Sequence, residues 1–215
     1  MKTYRNNKQR DSTSNFVNMT TTYQHDIACS FRTIAEMIRD RGVEDNRFLN
    51  VSGEDIVALA GGKQVFHIDD TEHGYRVIYE LNPRFKLSNI RKLLDPPPEN
   101  INVFIVVVRN CPTSPARSSV QALGLDVEYF DIRELQYNVS KHELVPKHEP
   151  VRDEEEIKGI LSRYFLKTRF QLPLILTTDP MAAYLALKHG QLVRVKRNSP
   201  SAGEHVVYRC CMRAP

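Results

Sequence analysis

The chain has 215 residues, 41% hydrophobic and 26% charged, which suits one large domain or two small ones with a real core. No window approaches eighteen uncharged apolar residues, and the basic, polar start "MKTYRNNKQRDSTSNFVNMTTTY" lacks a secretory apolar stretch, so the sequence reads as soluble and intracellular, with no membrane partner. The formal charge of +4 divides into +3 for residues 1–25, −4 for 26–140 and +5 for 141–215, an unpromising distribution for a protein that grips DNA unaided.

Residues 1–23 are rich in Asn, Ser and Thr without periodicity, which predicts a flexible tail. Order is expected from "DIACSFRTIAEMIRDRG", where Ile27, Phe31, Ile34 and Ile38 share one helical face, Asp26 caps and Gly42 terminates. "SGEDIVALAGG" predicts a second helix, from Ser52 as cap to Gly61. The period then changes: "KQVFHID" and "YRVIYEL" alternate around the turn "DTEHG", as in a hairpin. "LSNIRKLLD" predicts a short helix capped by Ser88 and stopped by Pro96, Pro97 and Pro98. "INVFIVVV" is a β-branched run suited to a central strand covered on both faces. A helix over "SPARSSVQAL" and a strand over "DVEYFDI" complete an α/β domain, a mixed sheet with helices, over residues 24–138.

Beyond residue 138 the chain starts again. "DEEEIKGILSRY" predicts a helix capped by Asp153, with Ile157, Ile160, Leu161 and Tyr164 on its apolar face. "TDPMAAYLAL" predicts another, with Asp179 as cap and Pro180 in the first turn. "QLVRVKR" and "EHVVYRCC" alternate as strands joined by "NSPSAG". Residues 139–215 thus form a small α+β module, expected to rest against other protein.

Four clusters invite chemistry. "HELVPKH" offers His142 and His148, but an intervening proline and the lack of a third ligand fit an extended domain boundary better than a metal site. The hairpin gathers His67, Asp69, Asp70, Glu72 and His73, as in metal-dependent nucleases. The position two after Glu80 is Asn82 rather than the lysine such chemistry needs, so a solvated turn is the stronger reading. "VRVKRN" offers Arg194, Lys196 and Arg197, of which Arg194 and Lys196 share a strand face, leaving a solvated face or a phosphate or acidic partner open. The cysteines show no C-x-x-C pair and read as buried, reduced thiols. No phosphate loop, nucleophile elbow or HExxH occurs, so neither catalysis, a cofactor nor a small-molecule substrate is expected.

The C-terminal module resembles the fifth subunit shared by eukaryotic nuclear RNA polymerases and the archaeal counterpart of that subunit. The resemblance rests on LVPKH (144–148), glutamates before a Leu-x-x-Tyr helix, QLP (171–173), Asp179-Pro180, Tyr184, Lys188-x-Gly190-Gln191, Ser199 with Ala202-Gly203, and Tyr208-Arg209. "IAEMIRDRG", "IVVVRNCPTSPARSSV" and "LQYNVSKH" resemble further motifs of that family. It departs at Ala183, Ala186 and Pro200, where the family has Arg, Gly and Glu, which suggests a divergent paralogue dedicated to one polymerase class, such as RNA polymerase I.

The resemblance implies a noncatalytic subunit of the nucleus, in nucleoplasm or nucleolus, with a jaw domain (24–138) and an assembly domain (139–215). Its implied partners are the largest polymerase subunit, neighbouring small subunits and downstream duplex DNA. Pro115 and Arg117 are the implied DNA contacts. Pro146, His148, Pro173, Asp179, Pro180, Tyr184, Gly190, Tyr208 and Arg209 are the implied docking residues. A free-standing DNA-binding protein and an inactive nuclease-like domain are the alternatives.

Overall fold

The computed structural model describes residues 10–83, 88, 92, 94, 100–122, 124–199 and 203–213. They form two compact units, Met1–Tyr137 and Asn138–Pro215, each with its own mixed sheet.

In the first unit, helix α1 runs Arg10–Asp40. Residues 1–9 of the expected tail lie outside the described residues; from Arg10 the backbone is helical, so Asp26 sits inside the helix instead of capping it. Once the buried face of Ile27, Phe31, Ile34 and Ile38 is packed, each residue added upstream gains a backbone hydrogen bond without a new nucleation cost. No Gly or Pro between 10 and 26 interrupts that growth. Helix α2, Gly53–Ala60, starts in a reciprocal cap between Ser52 and Asp55 and ends at Gly61, whose φ of +50 favours a residue without Cβ.

Strands β1 (Val65–Asp70), β2 (Tyr75–Glu80), β3 (Val103–Val108) and β4 (Asp126–Asp131) are neighbours in that order. The β1–β2 pair is the expected antiparallel hairpin; β3 is parallel to both β2 and β4. Central β3 buries Phe104 through Val108, as its unbroken apolar run requires. On one face Ile78, Phe104, Val106 and Val108 meet Val120 of helix α3 (Ser114–Gln121). On the other, Tyr79 reaches Ser30 of α1 at 3.1 Å. The short helix expected over 87–95 falls largely outside the described residues; Ser88, Lys92 and Leu94 are helical, and Leu94 joins the core.

The second unit orders its strands β5-β7-β8-β6. Strands β7 (Leu192–Ser199) and β8 (Gly203–Met212) form the expected antiparallel pair. Flanking them are β5 (Lys147–Val151), antiparallel to β7, and the three-residue β6 (Leu174–Leu176), parallel to β8. The "VPKHEPV" segment read as a boundary is therefore also an edge strand, and Pro150 is tolerated because an edge can spare a donor. Helix α4 (Glu154–Arg163) packs Ile157 and Ile160 against Val151, Leu192 and Cys210. Asp153 caps it, accepting from Glu155 and Glu156 backbone N–H groups at 3.2 and 3.3 Å. Helix α5, Pro180–Tyr184, is shorter than its apolar pattern suggested. Its end passes through Ala186 at φ +51, a left-handed turn that explains why glycine is the easier residue there.

All four cysteines are free thiols. Cys210 and Cys211 are buried, but Cys111 is exposed and Cys29 only half-buried, correcting the expectation for both. Cys111 lies past the end of β3, where the chain has already left the sheet.

Candidate functional site

The register of the second sheet separates two faces. Arg194 and Lys196 alternate onto one face, with Tyr208 opposite Arg194. Val193, Val195 and Arg197 point the other way, with Arg209 opposite Val193 and His148 opposite Val195.

The first face is paired within the chain, three cations sharing two carboxylates. Glu149 receives Lys196 at 2.9 Å, Lys147 at 2.9 Å and Arg194 at 3.3 Å, and Arg194 also pairs with Glu156. Of the two readings left open for Arg194 and Lys196, the structure supports neither a purely solvated face nor an outward phosphate grip. Hydrogen bonds from Lys147 and then Lys196 hold the Glu149 carboxyl low, at about 2. A depressed folded pKa contributes stability that is present above the unfolded value of about 4.3 and is lost as pH falls toward 2. In Glu149→Gln, the stability gap to the native chain should therefore shrink as pH falls from about 4.3 to about 2. Chemical denaturation at stepped pH measures it; a gap independent of pH contradicts the network.

The second face opens as a groove of about 580 Å³. Val195 and Ile175 contribute apolar floor, the 144–146 segment forms one wall, and β6 with the start of α5 forms the other. Leu144 is 85% exposed, and Leu174 and Leu176 are 42% and 43% exposed, leaving an apolar lining uncovered by this unit. Cations stand among it: exposed Arg197, and Arg209, whose Nη1 donates to the Leu174 carbonyl at 3.0 Å. His148 Nδ1 donates to the Pro146 carbonyl at 2.7 Å, bracing the wall. Apolar lining with fixed cations suits a protein segment carrying carboxylates.

Of the residues named from the sequence, Pro146, His148, Asp179, Pro180 and Arg209 line this groove. Pro173, Tyr184, Gly190 and Tyr208 do not. Tyr184 is buried, its hydroxyl accepting from Asn138 Nδ2 at 2.9 Å. Gly190 turns at φ +83 with its N–H on the Cys211 carbonyl. Tyr208 lies on the opposite face, 6.2 Å from the Tyr164 ring. Exposed Pro173 lends its carbonyl to Cys210 N–H. Arg197, one of the three cations of "VRVKRN", lines it too. Leu144, Leu174 and Leu176 were not among the candidates; the short apolar clusters "LVP" and "LPLIL" were the available signal.

Asp179 acts on the groove through structure, accepting from Met181 N–H at 2.9 Å to start α5. Asp179→Ala should cost about 1 kcal/mol and lower the thermal midpoint of the full chain. An unchanged midpoint in a melting scan would count against the cap.

In the first unit, Pro115 and Arg117 are both exposed in the opening turn of α3. The Arg117 guanidinium lies 5.7 Å from the Tyr129 ring centre, and it opposes the rise that burial gives the nearby Cys111 thiol. At the hairpin, ligand-type atoms of Asp70, Glu72 and His73 lie within 4.8 Å of one another. Asp70 is already engaged, accepting from Arg47 N–H at 3.2 Å and from His73 Nδ1 at 3.1 Å. Asp69 is clamped by Arg76 through two 2.7 Å bonds, and Glu80 accepts from Asn82 at 2.6 Å. These groups close the hairpin, with an amide where nuclease chemistry needs a lysine.

The family model described as RNA polymerase Rpb5, C-terminal domain, matches residues 137–211. DNA-directed RNA polymerase V subunit 5A of Arabidopsis thaliana is 28% identical over 208 residues, covering 92% of this chain and 93% of that protein. DNA-directed RNA polymerases IV and V subunit 5B, also of Arabidopsis thaliana, is 30% identical over 83% of this chain and 86% of its own length. The Dictyostelium discoideum subunit rpabc1 of DNA-directed RNA polymerases I, II and III is 34% identical over 67% of this chain and 75% of that protein.

Proposed function

This chain belongs to the family of fifth subunits of DNA-directed RNA polymerases, and from that premise we propose that its C-terminal unit docks on the largest polymerase subunit through the groove. The chain is a noncatalytic, structural member of that family, a divergent paralogue of the shared subunit. One observation supports the docking site above others: residues distant in sequence, Pro146, Asp179 and Arg209, converge on one apolar, cation-bearing groove that their own unit leaves open. Neighbouring small subunits complete the contact. The protein acts in the nucleus, and a relative named for RNA polymerase V alone supports its dedication to one class. Affinity purification of the tagged full chain from nuclei tests this. Large polymerase subunits should co-purify in stoichiometric amount, and their sequences identify the class; an eluate without them sinks the reading.

The N-terminal unit serves as a jaw beside downstream DNA, with Pro115 and Arg117 at the contact. What supports it is an exposed guanidinium positioned over Tyr129 in the first turn of a helix, where the helix dipole favours anions rather than cations. A phosphate contact carries no base information, so Arg117→Ala should weaken DNA retention evenly across sequences and reduce the salt slope by about one. Elongation-complex lifetimes at two salt concentrations measure this. Identical lifetimes for mutant and native assemblies would make the loop a protein-facing surface.

A further inference from the structure

Phe165 stands just past the end of α4 with φ of +55, in the left-handed region. Its N–H donates to the Ser162 carbonyl at 3.1 Å, and Leu166 N–H donates to the Leu161 carbonyl at 2.9 Å. This is the helix ending that ordinarily uses glycine, because a Cβ is disfavoured at such a φ. Ala186 makes the same compromise with a small, half-buried side chain. Phe165 makes it with a large ring that is 94% exposed, more than any other exposed large hydrophobic residue described. Neither backbone preference nor packing within the chain accounts for phenylalanine here. Strain of this kind at an exposed position points to a function outside the fold.

The surroundings define what the ring meets. Arg163 and Lys167 flank it, both exposed, and among the described residues neither makes an ion pair. Arg169, by contrast, is held by Glu154 at 2.7 Å. A nucleic-acid strand would call for several stacking rings along a basic track, whereas α4 opens on Glu154, Glu155 and Glu156. Tyr164 and Phe170 are exposed too, at 46% and 49%, but their rings rest on Tyr208 at 6.2 Å and His189 at 5.2 Å, so of these three Phe165 is the ring left without a ring partner among the described residues. One projecting ring between two such cations is the form of a protein–protein anchor.

We propose that Phe165 is an anchor for another polymerase subunit, its ring entering an apolar cleft whose rim carboxylates meet Arg163 and Lys167. This rests on the subunit reading above. It adds a contact separate from the groove, which Phe165 does not line. The hydrogen-bonded turn fixes the direction of the Cα–Cβ bond before binding, so the backbone loses little freedom on contact.

The test uses the tagged full chain in nuclei. Phe165→Gly relieves the backbone, so its thermal midpoint should stay the same or rise, while polymerase retained through a salt wash falls about tenfold. Phe165→Leu should retain an intermediate amount. With p-benzoylphenylalanine in place of Phe165, irradiation should cross-link the chain to an apolar peptide with neighbouring Asp or Glu in another polymerase subunit. Retention of Phe165→Gly at the native level overturns the proposal, as do cross-links confined to nucleic acid or to a second copy of this chain. Absence of polymerase even from the native eluate overturns the subunit reading itself, and that result is distinguishable from the others.

Discussion

Replacing Leu144 and Leu176 together by glutamate should abolish co-purification with polymerase while leaving the fold intact. Both residues line the groove, Leu176 from its rim strand, and are largely or partly exposed, at 85% and 43%, so the substitutions remove little packing within the unit. Surface changes of that kind usually alter stability by less than about 0.5 kcal/mol. In the docked state each new carboxylate would replace an apolar contact and offset the charge of Arg197 and Arg209. Disrupting a hot-spot position costs about 2 kcal/mol or more, so two together, at about 4 kcal/mol, should weaken binding by about a thousandfold. Circular dichroism melting and the ratio of polymerase to tagged chain in the eluate read the two effects separately. A native ratio would mean that the groove is not the docking surface.

The largest effect on stability is expected at Tyr79. Its side chain is fully buried on β2, stacked on Phe66 with ring centres 4.7 Å apart and planes 6° from parallel. Its hydroxyl meets Ser30 of α1, and burial drives its pKa upward, so it stays neutral. Tyr79→Ala removes the ring between helix and sheet and should cost about 3–5 kcal/mol, against a typical total of about 5–15. Tyr79→Phe isolates the hydrogen bond and should cost about 1 kcal/mol. Urea unfolding of the full chain measures both. A loss below about 1 kcal/mol for the alanine variant would show that the site collapses around the gap.

The polymerase family itself was legible in short motifs such as LVPKH and Asp179-Pro180, because each is complete within a few residues. So were the cap at Ser52, the cap at Asp153, the β1–β2 hairpin and the central strand β3. A capping bond spans three residues, and a strand's alternation repeats every two, so such features need no knowledge of the rest of the chain. The start of α1 was not legible, since upstream of Ile27 the sparse Phe16, Met19 and Tyr23 stand among Asn, Ser and Thr, and the packed face of Ile27 through Ile38 supplies the nucleus from which the helix extends. Strand β6 has three residues, too few for any period, and exists because β8 offers it an edge. The charges of Arg194 and Lys196 looked available until β5 placed Glu149 beside them. The groove was the least legible feature. Its lining comes from a loop residue, Leu144, beside Ile175, Val195 and Arg209, which sequence scatters and strand pairing gathers onto one face. Local chemistry determined the elements and the family, whereas long-range strand pairing decided which side chains share a surface, because only pairing selects the face on which each residue stands.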